Sequence, residues 1–189
     1  MRNYGIKANY QSRICVPHFD DTPFTDEFQA DVYQYAARVP CKSVLDVGCG
    51  SGFKLLKHFA DRLTIGFELE PTLTWLRAKY PQRLWLDPAQ SGGYLLGPHP
   101  RLAICADVIE HVQDPDALLQ FIASLHADVI VFSTPDRERL ALGTENGPPR
   151  NVHHVREWTQ AEFSAYVGES FKVLEALGGT TVTLKCAKK

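Results

Sequence analysis

The sequence lacks several features that would assign it quickly. Its five cysteines (Cys15, Cys41, Cys49, Cys105 and Cys186) are an odd number, and no two stand at C-x-x-C spacing. A disulfide framework or a zinc knuckle needs paired or clustered Cys and His. The expectation is therefore buried thiols in a reducing compartment, with no metal site. There is no excess of charge: 20 Lys and Arg face 22 Asp and Glu, for a net charge of −2. Such a chain carries no global basic field, so no nucleic-acid partner is expected. No apolar run approaches the ~20 residues that a membrane span needs. The opening "MRNYGIKANYQSR" has no apolar core of a secretory signal. Internal repeats and low-complexity segments are absent. These absences lead to an expectation of a cytoplasmic protein without membrane contact. Its 189 residues fit one domain.

What is present is an alternation of strand and helix signals. "DEFQADVYQYAARV" (26–39) spaces Phe28, Val32, Tyr35, Ala36 and Val39 for one face of a helix, with acids at its start and Pro40 at its end. Strands are then expected at 43–47, 62–69, 83–87, 101–106 and 128–135. Helices are expected at 53–60, 71–80 and 114–127, the last with Asp114 as cap and Pro115 behind it. The alternation predicts a parallel sheet with helices on both faces. The end of the chain differs. Thr159 and Glu162 form a capping box, and two β-rich runs, 171–177 and 180–187, flank Gly178-Gly179. The predicted fold is α/β: a Rossmann-like, doubly wound, mostly parallel sheet of seven strands closing in an antiparallel hairpin.

The densest signal is "VLDVGCGSGFK" (44–54). A strand runs into Asp46, and Gly48, Gly50 and Gly52 follow before a helix begins. In doubly wound sheets the ligand crevice lies beyond the carboxyl ends of the strands. Glycines there permit tight turns and close approach of the backbone. The spacing is G-x-G-x-G, and Phe53 stands where a dinucleotide fingerprint has its third glycine. Asp46 beside a pyrophosphate would repel it. The carboxylate suits a ligand with an ammonium or sulfonium group. Glu68, about 20 residues on, is placed to accept from ribose hydroxyls, and Asp87 ends the third strand.

Four segments in order, "VLDVGCGSG" (44–52), "IGFELEP" (65–71), "AICADVIEHVQDPDALL" (103–119) and "VIVFSTPDR" (129–137), resemble the class I S-adenosylmethionine-dependent methyltransferases. The resemblance implies S-adenosylmethionine as cofactor, a cofactor-binding core over 41–189, and an N-terminal helix or lid over 1–40. It implies that Asp46 and the loop of Gly48, Cys49, Gly50 and Gly52 hold the methionine end. Glu68 would take the ribose, Leu69 would pack on the adenine face, Asp87 would meet the adenine amino group, and Ala106 would contact the ligand through its backbone. Two departures stand out. Glu68 replaces the commoner Asp, and Pro88 removes a backbone donor beside Asp87.

The acceptor side is less determined. Three histidines are candidate bases: His111, and the adjacent His153 and His154, of which one is expected to point inward. Arg150, Arg156 and Trp158 are expected to bind a polar or anionic acceptor alongside them. Phe19, Phe24 and Tyr33 are expected to close the site as a lid, and 136–150 to form an acceptor-side loop. A basic excess is absent, as is the N-P-P-Y signature of base methylation after the fourth strand, where "ADVI" stands. A small-molecule or glycan-type acceptor is expected. The alternative is a non-catalytic S-adenosylmethionine-binding regulatory protein of the same fold.

Overall fold

The computed structural model describes residues 3–14, 29–90, 97–140 and 145–189. The expected lid residues Phe19 and Phe24, the helix start at 26–28 and part of the acceptor-side loop lie outside them. Seven strands form one sheet: β1 (Ser43–Val47), β2 (Leu63–Phe67), β3 (Leu84–Leu86), β4 (Arg101–Ala106), β5 (Val129–Pro135), β6 (Phe171–Leu177) and β7 (Thr181–Lys188). Their order is β3-β2-β1-β4-β5-β7-β6. The first five are parallel, and β7 runs antiparallel to both β5 and β6. The predicted fold is the one observed.

The helices are α1 (Ala30–Ala37), α2 (Phe53–His58), α3 (Thr72–Lys79), α4 (Pro115–Ser124), α5 (Arg137–Leu140) and α6 (Gln160–Ser170). Alternation along the strands divides the core in two. Leu45 and Val47 of β1 face α4 and α6, in a cluster with Leu119, Ile122, Phe132, Phe163 and Val167. Val44, one residue before Leu45, joins Val32, Ala36, Leu55, Phe59, Leu73 and Leu76 from α1, from α2 and its end, and from α3 on the other face. Every residue of β1 is buried, as a central parallel strand covered on both faces requires.

Local chemistry sets the element ends. Asp114 accepts from the Asp116 and Ala117 amides at the start of α4, with Pro115 following it. Thr159 and Glu162 make the capping box of α6. β2 and β3 are shorter than expected, so Glu68 and Asp87 stand in the turns just beyond them. Among the described residues no helix is long and apolar enough to cross a membrane.

Candidate active site

The loop after β1 is shaped by steric exclusion. Gly48, Gly50 and Gly52 all take positive φ, which side chains other than glycine rarely tolerate. A Cβ on Gly48 would stand 2.5 Å from Val108 Cγ2, and one on Gly52 2.7 Å from Trp85 Cη2. The glycines thus let the loop seat against β3 and against the segment leaving β4. Its amides turn inward: Gly48 and Cys49 donate to the Phe67 carbonyl, and Gly50 donates to Glu68 Oε2 at 2.8 Å. Glu68 Oε1 accepts from the Leu69 amide, also at 2.8 Å. These two backbone donors help to fix the carboxylate at the slot.

Asp46 is fully buried on the α1 face. Tyr33 of α1 places its hydroxyl 3.0 and 3.2 Å from the two carboxylate oxygens. Burial pushes the Asp46 carboxyl up to about 7, and the Tyr33 hydrogen bond only partly opposes this. Tyr33 was expected in a lid; it is a buried core residue that caps the acid of the glycine strand.

Two cavities flank the segment 107–112. The first, about 410 Å³, is lined by Val47, Gly48, Phe67, Glu68, Leu69, Pro88, Ala89, Val108, Val112, Asp114, Ala117, Leu118 and Phe121. It is an apolar slot with Glu68 and Asp114 at its polar edges. Leu69 is 45% exposed, which a flat apolar ligand group would remedy. Asp87 is not among the lining residues; its carboxylate accepts from the Ala89 amide at 2.8 Å and shapes the turn whose Pro88 and Ala89 do line the slot.

The second cavity, about 350 Å³, is lined by Gln29, Asp107, Glu110, His111, Pro135, Leu140, Arg150, Asn151, His154 and Glu157. Its wall is strained and charged. Gln29 and Asp107 both take positive φ, and the Gln29 amide donates to Asp107 Oδ2 at 3.0 Å. Non-glycine residues held in this region mark sites that the surroundings over-determine. Asp107 Oδ1 accepts from the Ser133 hydroxyl at 2.6 Å. Glu110 is fully buried, and desolvation, with Asp107 nearby, holds its carboxyl well above the usual range. His154 Nδ1 lies 2.6 Å from Glu157 Oε1. The His111 and His154 rings meet edge to face, 4.7 Å apart.

The predicted residues are thus sorted. Gly48, Glu68 and Leu69 line the slot, and His111 and His154 line the polar cavity. His153 is not among the lining residues; its carbonyl lies 3.0 Å from His111 Nδ1 and its amide donates to Asn151 Oδ1 at 2.9 Å. Cys49 is buried beneath the loop, and the Ala106 carbonyl lies 3.5 Å from the Gln29 amide nitrogen. Arg156 and Trp158 line neither cavity. The Arg156 guanidinium donates to the carbonyls of Val112 and Gln113 and stacks on Tyr4, and the buried Trp158 indole donates to the Tyr4 carbonyl. Both brace the site from behind. The expected loop at 136–150 begins with a buried Arg137 paired with Glu162 at 2.8 Å, while Leu140 and Arg150 do reach the cavity. Reading along the chain missed Gln29, Asp107, Glu110, Asn151 and Glu157. The one available signal was "VIEH", where Glu110 precedes a candidate base.

The fold is that of S-adenosylmethionine-dependent methyltransferases. A magnesium protoporphyrin IX methyltransferase from Synechocystis PCC 6803, solved with bound S-adenosylhomocysteine, superposes with a TM-score of 0.63 at 19% identity, over 86% of this chain and 84% of that one. A methyltransferase from Aquifex aeolicus gives 0.65 at 13% identity, over 87% and 95%. The 16S rRNA methylase ArmA gives 0.59 at 16% identity, over 84% and 81%. These likenesses carry the fold alone. No curated protein sequence matches. The chain belongs to the methyltransferase domain family, whose model matches residues 24–175. Its activity is methyl transfer, and its cofactor is S-adenosylmethionine.

Proposed function

We propose that the protein methylates a small-molecule or glycan-type acceptor held in the 350 Å³ cavity, with the cofactor's adenosine in the neighbouring slot. The observation that carries this reading is the pair of cavities divided by 107–112, one apolar and one lined by imidazoles and carboxylates. S-adenosylmethionine supplies an electrophilic methyl group on a sulfonium sulfur. In this reading Leu69, Leu118 and Phe121 sandwich the adenine, and Glu68 accepts from the ribose hydroxyls. Asp46, with the Gly48–Gly52 loop, attracts the amino end beside the Tyr33 hydroxyl. Ala106 and Asp107 form the floor between the cavities. The acceptor would take the methyl group that the bound cofactor supplies, and its proton would pass to the wall of His111 and His154. Glu157 holds the His154 Nδ1 proton and so directs Nε2 into the cavity. Three carboxylates line this cavity against Arg150 as the one lysine or arginine among its lining residues, which disfavours a polyanion such as RNA.

The test is transfer of a labelled methyl group to panels of hydroxylated small molecules, saccharides and RNA oligonucleotides. Turnover on a small molecule or saccharide that His154→Ala removes, with S-adenosylmethionine binding retained, is the expected result. Turnover on RNA alone would overturn the acceptor class.

A further inference from the structure

The polar cavity holds a set of side chains that no step above requires in this number. Glu110, His111 and His154 each bring one potential ligand atom within 4.8 Å of the other two. Glu110 is fully buried yet lines the cavity. Its Oε2 accepts from the Thr134 hydroxyl at 3.1 Å, while Oε1 has no hydrogen-bond partner among the described residues and lies 3.9 Å from His111 Nε2. A buried carboxyl oxygen without a partner is costly, and a cation that displaces the carboxyl's proton is a partner that would offset it.

The imidazoles are oriented to match. His111 Nδ1 lies 3.0 Å from the His153 carbonyl, which accepts only from N–H. A neutral His111 therefore carries its lone pair on Nε2, the nitrogen beside Glu110. His154 Nδ1 lies 2.6 Å from Glu157 Oε1, which likewise leaves its lone pair on Nε2. A carbonyl or carboxylate on the far nitrogen is how metal-bound histidines are held in tautomer and angle. Asn151 Nδ2 lies 3.0 Å from His154 Nε2, so this amide would turn aside as an ion enters. The charge balance agrees: Asp107, Glu110 and Glu157 face Arg150 across the cavity.

We propose that Glu110, His111 and His154 bind one divalent first-row transition ion, such as Mn²⁺ or Zn²⁺, with open coordination positions facing the cavity. Two imidazoles and a carboxylate favour such ions over Mg²⁺ or Ca²⁺, which prefer oxygen ligands. Metal–ligand bonds near ~2.1 Å ask the three side chains to close by about an ångström. The sequence showed no clustered spacing because the ligands come from two segments, 110–111 and 154. Resting on the reading of this cavity as the acceptor site, the ion would hold an acceptor oxygen and make it easier to deprotonate; with both Nε2 atoms ligating, the proton would then leave to solvent rather than to His111 or His154.

The test is titration of the chelator-treated full chain with MnCl₂ and with ZnCl₂, followed by calorimetry and, for manganese, by electron paramagnetic resonance. One ion should bind per chain. Affinity should fall at least about tenfold, the loss of roughly one ligand's contribution, in Glu110→Gln and in His111→Gln, each checked for folding by its thermal transition. Absence of 1:1 binding to the wild-type chain, or binding unchanged in both variants, would overturn the site. Neither result touches the acceptor reading, which methyl transfer to the acceptor panels tests separately.

Discussion

The apolar slot takes one wall from the ends of β1 and β2 and the turns that directly follow β1, β2 and β3, and the other from the run between Val108 and Phe121. The polar cavity draws on residues as far apart as Gln29 and Glu157. In the first, geometry follows from local backbone chemistry: glycines at positive φ, a proline turn, an acid fixed by two amides. In the second, it follows from long-range pairing. Gln29 meets Asp107, Ser133 meets Asp107, Thr134 meets Glu110, and the 145–157 segment is stitched to the N-terminus by Tyr10, Gln11 and Arg13. A site built locally is fixed by a few positions, whereas one built across the chain depends on everything that holds its segments together.

The sharpest way to break the cofactor side alone is Asp46→Asn. In the proposed reading Asp46 is a charged partner of the cofactor's amino group, so its removal should weaken S-adenosylmethionine binding about 100-fold, as losing a charge-assisted hydrogen bond of up to ~3 kcal/mol implies. The buried carboxyl, raised from 3.8 to about 7, gives a second readout. Between these values the native state keeps a proton that the unfolded chain has released, so stability falls as pH rises across that window. Asp46→Asn should flatten the slope and leave the ligand-free protein more stable than wild type at pH 8, by thermal denaturation. Wild-type affinity for the cofactor should rise from pH 6 to pH 8 as Asp46 ionises. An affinity independent of pH would separate Asp46 from the amino group.

The opposite break is His154→Ala. It should lower kcat by about 10²–10⁴-fold, the usual range for a positioned proton-transfer group, and leave cofactor affinity as it was. A parallel loss of cofactor binding would mean that the two cavities are not separable.

These two positions also show how far reading along the chain reaches. The place of Asp46, near the end of its strand and just before the glycine turn, is legible because strand, glycines and helix are contiguous. Asp114, the Thr159–Glu162 box and the Gly178-Gly179 turn were legible for the same reason, since each acts within a few residues of itself. Tyr33 was placed in a lid because nothing near it announces that its hydroxyl reaches Asp46. His153 and His154 stayed level because neighbours on an irregular segment point apart, and only the buried Glu157 and the packing of Val155 show which one turns inward. Arg156 and Trp158 were grouped with the acceptor site by proximity in the chain. Their partners Tyr4, Val112 and Gln113 make them braces instead. Glu110 carries the largest surprise, for a fully buried acid is exceptional, and burial is a property of the fold.

A smaller perturbation tests whether the boundary between the cavities is rigid. Gly48→Ala forces a Cβ at φ 71 to within 2.5 Å of Val108 Cγ2. The backbone strain alone should cost about 1–3 kcal/mol, or about 2–4 °C in Tm per kcal/mol at this chain length. Val108 lies beside Asp107 in the dividing segment, so a shift there should also raise the acceptor KM. Loss of stability with both affinities intact would show that the loop yields without moving the divide.

The smallest effect tests the stitching. Tyr10 accepts the Glu157 amide at 3.0 Å through its phenolic oxygen, its ring carries the Arg137 guanidinium at 4.9 Å, and Glu157 is the partner of His154. Tyr10→Phe keeps the ring and removes one hydrogen bond, for a stability loss of about 1 kcal/mol. Because the lost bond anchors Glu157, the variant should raise the acceptor KM and lower kcat, while cofactor affinity holds. Unchanged KM and kcat would mean that Glu157 keeps its position without the N-terminal segment. The polar cavity would then be more self-sufficient than its scattered origins suggest.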